Sequence, residues 1–341
     1  MTRASRNTAH LPRLSRPRRA VAIAGIVMML ATATVGAGET SDDANVWLTR
    51  MTQAAQQLNY DGVFVYRNGS HMESMRIIHR ADAGGERSRL IALTGVKREV
   101  LRDSAQVVCI LPDDGSVVVA KTRPPSPFYA AILTATEGFS KHYQLSVSGG
   151  DRVAGRQTEV LMLIPRDQFR YGYNLWVDRE TGLLLKSDLI GGDEAPIEQF
   201  LYTSISLPDD IADELLEPGI TGQQLTWHIS DAHVSLDDVE STDTSVAWAV
   251  EWLPDGFMMA DGSESSTADG QVRVVQMVYT DGLASLSVFV EHLMEDEPLE
   301  GLSAMGAMNA YGRIIDGHQV TVVGEVPANT VEAVAQSVRR N

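Results

Sequence analysis

Short apolar runs with a period of two, separated by turn residues, dominate the chain between residues 60 and 206. The run GVFVY is followed by NGS and MESMRIIHR, and similar runs continue as RLIAL, REVLR, QVVCIL, SVVVA, YQLSVS, TEVLMLI, YGYNLWV, LLLKSDLI and EQFLYTSI. Turn residues at 67–70, 113–116 and 178–182 fit hairpin connections between them. The pattern therefore predicts a large antiparallel sheet or barrel.

Helical patterns occur on both sides of this β-rich segment. SDDANVWLTRMTQAAQQLNY places apolar residues at helical spacing behind an acidic, capped start at Ser41. From residue 246 onward, QVRVVQMVYT and ASLSVFVEHL predict two strands, and PANTVEAVAQSV predicts a terminal helix with an apolar face. The expected fold class is α+β and rich in β-structure.

The first 37 residues have the layout of a secretory signal peptide. Residues 1–19 carry six arginines and no acid, and they run into AVAIAGIVMMLATATVGA, which is uncharged and ends in small residues. We expect cleavage before Gly38. An uncleaved membrane anchor is the alternative, although the strongly apolar part is short for a span of about 20 residues.

Acidic residues are concentrated in the second half of the chain. Residues 39–204 hold 21 acidic and 18 basic residues, whereas residues 205–341 hold 24 acidic and 4 basic residues. The stretch 206–245 contains ten Asp and Glu but no Lys or Arg, and it lacks apolar alternation, which predicts a linker between domains at 38–205 and 246–341. So acidic an exported protein is not expected to bind nucleic acid. Adaptation to salt and recognition of a partner both remain open as reasons for the acidity.

Basic residues cluster in one part of the first domain. LTGVKREVLRD places Lys97, Arg98 and Arg102 within six positions, and Arg76 and Arg80 lie on a preceding strand. Guanidinium groups on neighbouring strands can hold an anionic group bidentately. These five residues are therefore candidates for contact with an anionic headgroup or a protein partner. The alternative is a set of solvated strand faces with ordinary ion pairs.

The common catalytic and metal-binding motifs are missing. The sequence contains no HExxH, GxSxG, GxGxxG or P-loop pattern, and His228 and His233 lie in the predicted linker. Cys109 is the single cysteine, lies in the apolar run QVVCIL and is expected to be a buried strand residue. We therefore predict no catalytic residue, no metal site, no cofactor and no enzymatic activity.

Several longer stretches carry a family resemblance. They are WLTRMTQAAQQLNYDGVFVY, MESMRIIHR, GVKREVLRD, NLWVDRETGLLLKSDLI, WLPDGF, VYTDGLASLSVFV and VVGEVPANT. In wording, order and spacing they resemble the MucB/RseB family of periplasmic sigma-E regulators, over almost the whole chain after the leader. The resemblance implies an unclosed antiparallel β-barrel of the LolA/LolB type with covering helices, followed by a small antiparallel sheet with a packed helix.

The resemblance also implies a function in the periplasm. Proteins of this family bind the periplasmic part of a membrane anti-sigma factor of the RseA/MucA type, shield it from regulated proteolysis and release it when lipid or lipopolysaccharide is sensed. The alternative is a lipid or lipoprotein carrier of the LolA/LolB type, which would have no use for WLPDGF and the residues that follow. The acidic linker and acidic second domain depart from the expected pattern and leave the electrostatics of partner contact open. A homo-oligomer is also left open.

A half-open barrel with an apolar concave face could bury acyl chains, at about 0.8 kcal/mol for each CH2 group removed from water. The candidate lining residues are Val63, Val65, Met75, Ile77 and Leu101. Packing beneath a covering helix is the alternative for each of them, and strand parity alone does not say which face is concave.

The second domain is expected to provide the main anchor for the anti-sigma factor. Trp252, Phe257 and Tyr279 are the candidate aromatic contacts. Core packing is the alternative for Trp252 and Phe257 in particular.

Overall fold

A computed structural model describes most of the chain after the predicted leader. The described residues are 41–111, 116–120, 139–192, 195–219, 226–230, 248–266, 273–293 and 298–341. The predicted signal peptide lies outside them. Among the described residues, no helix is both long enough and apolar enough to cross a bilayer.

Twelve strands of the described residues form the first sheet. They are β1 (Tyr60–Asn68), β2 (His71–Asp82), β3 (Gly85–Ala92), β4 (Glu99–Arg102), β5 (Val107–Leu111), β6 (Ser116–Ala120), β7 (Tyr143–Val153), β8 (Arg156–Pro165), β9 (Gly172–Asp178), β10 (Leu184–Ile190), β11 (Pro196–Ser206) and β12 (Thr226–Ser230). Their order is β12-β6-β5-β4-β3-β2-β1-β11-β10-β9-β8-β7. Because the sheet ends at β12 and β7, it is unclosed, as predicted. All neighbouring strands are antiparallel except β12, which pairs in parallel with β6.

Helix α1 (Ser41–Gln57) covers one face of the first sheet. Its Met51 and Ala54 are buried among residues of that sheet, including Leu161 and Tyr202. We call this side the helix-covered face and the other side the opposite face. A second, short helix, α2 (Phe139–His142), precedes β7.

The segment after β11 returns across the opposite face. Ile211 and Leu216 pack there against the fully buried Ile78 of β2. Arg80 Nη1 donates a hydrogen bond of 2.9 Å to the Ile211 carbonyl, and a 3-10 helix spans Asp213–Leu215. The interval predicted as a linker thus begins with residues packed on the sheet and also contains β12, whereas 220–225 and 231–247 lie outside the described residues.

The remaining strands and the last helix form the second sheet and its covering layer. They are β13 (Trp248–Val250), β14 (Met258–Ser266), β15 (Arg273–Thr280), β16 (Ser285–His292), β17 (Gly301–Met305), β18 (Met308–Ile315), β19 (His318–Gly324), α3 (Ala328–Ser337) and β20 (Val338–Arg340). The six-stranded sheet has the order β14-β15-β16-β19-β18-β17, and β13 pairs with β20. Val331 and Val334 of α3 are fully buried against Val288 and Val322, which gives the predicted sheet with its packed helix.

Candidate functional site at the junction of the two sheets

A buried arginine joins the two sheets, which belong to one compact unit, Gly38–Asn341. Arg170 precedes β9 of the first sheet, and Asp281 follows β15 of the second sheet. Their side chains have no exposed surface, and Arg170 Nη1 lies 3.1 Å from Asp281 Oδ2. Arg170 Nη2 also donates a hydrogen bond of 2.7 Å to the Asp255 carbonyl. We call Arg170, Asp255 and Asp281 the junction clasp.

Neighbouring groups hold the two charged side chains of the clasp in place. Asp281 Oδ1 accepts hydrogen bonds from the Leu283 and Ala284 N–H groups at 2.9 and 2.7 Å, so the carboxylate is fixed in a tight turn. The Arg170 guanidinium carbon lies 5.3 Å from the centre of the Phe257 ring. Because a buried charge is costly unless it is paired and hydrogen-bonded, this arrangement ties the position of one sheet to the other.

Further hydrogen bonds cross the junction beside the clasp. Thr330 Oγ1 of α3 donates to the Phe169 carbonyl at 2.9 Å, and Asn309 Nδ2 of β18 donates to the Tyr171 hydroxyl oxygen at 2.9 Å. The WLPDGF and VYTDGL stretches, which carried part of the family resemblance, therefore meet the segment 167–173 of the first sheet. No local signal singled out Arg170, because its carbonyl partner Asp255 lies 85 residues away in the sequence.

Two glycines allow the second sheet to approach the first. Gly256 has φ of +88° and a Cβ at this position would overlap the His142 ring. Gly306, in the turn between β17 and β18, has φ of +62° and its Cβ would overlap the Asn68 carboxamide. Glycine is favoured at both positions for two reasons. The backbone there is left-handed, and residues of the first part of the chain occupy the space that a side chain would need.

We expect Gly306→Ala to destabilise the protein more than Gly317→Ala. Gly317 has φ of +75° in the same sheet, but a Cβ there meets nothing within 4 Å. The control should therefore cost only the backbone strain of about 1–2 kcal/mol. Gly306→Ala should cost about 1–3 kcal/mol more, since Asn68 must move. Urea denaturation measures both, and equal effects would show that the contact carries no energy.

Two glutamates interact across the same junction. Burial, followed by repulsion from Glu198 of β11, raises the pKa of Glu325 to about 7. Burial likewise raises the pKa of Glu198, although its Oε1 accepts a hydrogen bond of 2.6 Å from the Tyr66 hydroxyl. Neither carboxylate forms an ion pair with a described basic residue. The junction therefore contains a carboxyl pair that favours protonation.

This pair makes stability depend on pH in a defined direction. The folded-state pKa of Glu325, about 7, lies above its ordinary value of 4.5, so the folded state binds the proton more tightly than the unfolded state. The contribution of Glu325 to stability should be fully present below about pH 4.5 and be lost as pH rises through about 7. Glu325→Gln should remove this loss and stabilise the protein at pH 8 by on the order of 1–3 kcal/mol.

Urea denaturation between pH 5 and 8 tests the expected pH dependence. Glu198→Gln should move the titration of Glu325 to lower pH, because one cause of its raised pKa is removed. Glu332→Gln, on the exposed side of α3, is the matched control and should not change the profile. A wild-type profile identical to that of Glu325→Gln would contradict the prediction.

A cleft opens beside the clasp. Its volume is about 620 Å³, and it is lined by β8 and β9, by the segment 167–171, and by Pro327 and Asn329 from the second sheet's side. Ile164 in its wall is an exposed apolar residue. Its walls combine polar residues, such as Asp167 and Asn329, with apolar residues, such as Leu163 and Pro327.

The predicted basic cluster is largely neutralised by carboxylates. Arg76 forms a bidentate pair with Asp61 at 2.8 and 2.6 Å. Arg80 contacts Asp82 and Asp213 at 2.9 and 2.8 Å. Arg98 pairs with Glu73, which favours the alternative of ordinary ion pairs for these three positions.

Lys97 and Arg102 are the other two members of the predicted cluster. Lys97 is exposed in the loop between β3 and β4. Leu101, Val108 and Leu216 line a second cavity of about 280 Å³ on the opposite face, and Arg102 borders it at the end of β4. An anionic contact at Lys97 and Arg102 stays a prediction.

The five predicted lining residues do not share one wall. In the β1–β2 pairing, Val63 lies across from Arg76, whereas Phe64 lies across from Met75. Residues that face each other in an antiparallel pair project to the same side. The five predicted lining residues therefore divide between the two faces. Met75 and Ile77 pack beneath the helix-covered face with Phe64, while Val63, Val65 and Leu101 project to the opposite face.

The three predicted aromatic contacts are mostly internal. Phe257 and Tyr279 are buried in the core of the second sheet, so neither offers a free surface to a partner. Trp252 is partly exposed and packs edge-on against Phe169 of the junction, with ring centres 5.1 Å apart. Their burial favours core packing for Phe257 and Tyr279, and contact of the three aromatic residues with a partner stays a prediction.

Cys109 lies on β5 and is half-buried. Burial raises the pKa of its thiol, which keeps it protonated and poorly nucleophilic.

The fold and the junction define a class of two-part β-sheet proteins in which a large unclosed sheet is fixed to a smaller sheet by buried polar contacts. Two family models match the chain in this order. Residues 43–220 match the MucB/RseB N-terminal domain and residues 242–339 match the MucB/RseB C-terminal domain.

Known relatives agree with these matches. The Sigma factor AlgU regulatory protein MucB of Pseudomonas aeruginosa is 34% identical over 311 residues, which cover 87% of this chain and 91% of the relative. The Sigma-E factor regulatory protein RseB of Haemophilus influenzae is 26% identical over 292 residues, which cover 86% and 90%. The chain belongs to the MucB/RseB family.

Solved structures show the same fold. A crystal structure of MucB in complex with MucA(peri) matches 88% of this chain and 99% of that chain, with a TM-score of 0.67 and 32% identity. The complex structure of Pseudomonas aeruginosa MucA/MucB matches with a TM-score of 0.69, at the same coverage and identity.

Proposed function

We propose that this protein binds the periplasmic part of a membrane anti-sigma factor of the RseA/MucA type and thereby shields it from regulated proteolysis. It would act as a negative regulator of an envelope stress response controlled by sigma-E. The observation that carries the proposal is family membership over both parts of the chain, together with the fact that MucB is found in complex with MucA(peri).

The junction supports this proposal physically. It provides a cleft with walls from both parts of the chain, next to a clasp that fixes how those parts are arranged. A segment bound across the cleft would contact both parts at once, so its affinity would depend on their arrangement. We propose the junction as the region where the partner is recognised.

The proposed location is the periplasm. The arginine-rich start and the apolar run that follows support export, with cleavage before Gly38. The intact mass of the exported protein should correspond to a chain that begins at Gly38. A membrane-bound species that retains residues 1–37 would contradict this.

The binding proposal is tested by titrating the purified periplasmic segment of the anti-sigma factor from the same organism against the full-length exported protein. Calorimetry measures the affinity, and digestion of the segment by a nonspecific protease measures protection. A segment of the same composition in scrambled order is the control. Absence of binding and protection would overturn the proposal.

A lipid or lipoprotein carrier remains the second candidate, supported by the apolar cavity on the opposite face. Mass spectrometry of lipids that co-purify with the exported protein, together with the titration above, separates the two functions. Bound lipid without anti-sigma factor binding would favour the carrier. If the protein releases the anti-sigma factor when it senses lipid, added lipid A should weaken binding of the anti-sigma segment.

A further inference from the structure

Two histidines form the last cross-strand pair of the second sheet. His292 ends β16, His318 begins β19, and the two residues lie directly opposite each other. Their ring centres are 5.3 Å apart, and the rings are inclined by 65°. The pair is the last one in the register of these two strands, and none of the contacts described above uses it.

The hydrogen bonds of the two rings fix which nitrogen carries the proton. His292 Nδ1 lies 3.1 Å from the Leu293 carbonyl oxygen, and His318 Nδ1 lies 3.0 Å from the Asp316 carbonyl oxygen. A carbonyl oxygen only accepts, so Nδ1 is the donor in both rings. Each neutral ring therefore keeps a lone pair on Nε2. Metal-binding histidines commonly have this arrangement, in which one nitrogen donates to a backbone carbonyl and the other binds the metal.

The separation of the rings also suits a shared metal ion. Metal–nitrogen bonds of about 2.0–2.1 Å in a tetrahedral site place the centres of two imidazole rings about 5 Å apart. The observed 5.3 Å is close to this value. The ring separation is therefore compatible with one shared ion once the side chains turn their Nε2 atoms toward it.

We propose that His292 and His318 form a site for a divalent transition metal of the copper and zinc class. Imidazole suits these ions, and copper is expected to bind more tightly than zinc. In the described part of the chain, no group of three His, Cys, Asp or Glu side chains is placed to hold a metal, so water completes the coordination. The 24 acidic and 4 basic residues of 205–341 add a negative potential that attracts cations to this half.

Trp248 provides a local readout for this site. Its ring centre lies 5.2 Å from that of His318. A bound Cu²⁺ ion at the histidine pair would quench Trp248 fluorescence, whereas a Cu²⁺ ion elsewhere on the surface would not do so selectively. Trp248→Phe should therefore keep Cu²⁺ affinity in calorimetry but lose most of the quenching.

The experiment is a Cu²⁺ titration of the full-length exported protein, followed by calorimetry and tryptophan fluorescence, with electron paramagnetic resonance of the bound ion. We expect one tight site with two nitrogen ligands. His292→Ala and His318→Ala should each weaken it at least about tenfold, because losing one ligand ends chelation. Circular dichroism of each variant confirms that it is folded.

Two matched controls use other histidines. His71→Ala removes an exposed histidine near Glu73, and the His228→Ala/His233→Ala double variant removes a pair in the acidic segment. Both should leave affinity and quenching unchanged. The proposal is overturned if both single variants of the cross-strand pair bind Cu²⁺ as tightly as the wild type, or if the tight site is lost in a control instead.

Discussion

Replacing Arg170 with methionine should lower the free energy of unfolding by about 3–5 kcal/mol. Methionine approximately fills the space, but it leaves the Asp281 carboxylate buried without its cation. The side chains of both residues have no exposed surface, so water cannot replace the lost partner without opening the junction. Urea denaturation at neutral pH measures the loss.

The double variant Arg170→Met/Asp281→Asn separates the lost charge pair from other effects. Removing both charges should recover part of the stability, because a buried pair can be replaced by neutral groups at lower cost than one partner alone. Arg339→Met is the matched control, since its pair with Glu251 is exposed on both sides. The control should change stability by less than about 1 kcal/mol. If Arg170→Met is as stable as the wild type, the junction clasp does not stabilise the protein.

Period-two alternation predicted most strands of the first sheet because half of each strand is buried, and burial selects apolar residues at alternate positions. The same pattern misled the choice of lining residues. Only two residues, Gly69 and Ser70, separate β1 from β2, and such a short turn fixes the pairing of the strands. Counting back from this turn places Met75 across from Phe64, so the sequence already contained the division between faces.

Ion pairing was harder to predict from the sequence. Arg98 and Glu99 are adjacent, but neighbouring residues in a strand project to opposite faces. Arg98 therefore pairs with Glu73, and Glu99 pairs with Arg89, which lies on the neighbouring strand β3. Arg170 could not be identified for a related reason, since its partners come from distant turns that only the folded chain brings together.

Composition alone did not predict that the acidic segment after residue 206 packs on the first sheet. Ten acidic residues without a basic one indicated a solvated linker, yet Ile211 and Leu216 are buried. Two apolar side chains in a polar segment are enough to dock it on the sheet, with burial of each worth about 1.5–3 kcal/mol. Their carboxylate neighbour Asp213 then pairs with Arg80 and Arg87, which places acidic charge on the basic cluster rather than in solvent.

Both parts of the chain should be needed for tight binding of the anti-sigma factor segment. We expect residues 38–219 and residues 248–341, prepared separately, each to bind about 100-fold or more weakly than the full-length protein, because two tethered contacts raise each other's effective concentration. The first fragment ends at 219 rather than 205 so that Ile211 and Leu216 keep their packing on the sheet.

An untethered mixture of the two fragments is the control that isolates this effect. It should remain weaker than the full-length protein at the same concentration, since the covalent connection supplies the gain in effective concentration. Calorimetry gives the affinities, and protease digestion of the segment gives protection in parallel. Full affinity and full protection by residues 38–219 alone would contradict the prediction, because the first sheet would then bind without the junction. That result would move the recognition site to the first sheet and favour a carrier-like domain that acts on its own.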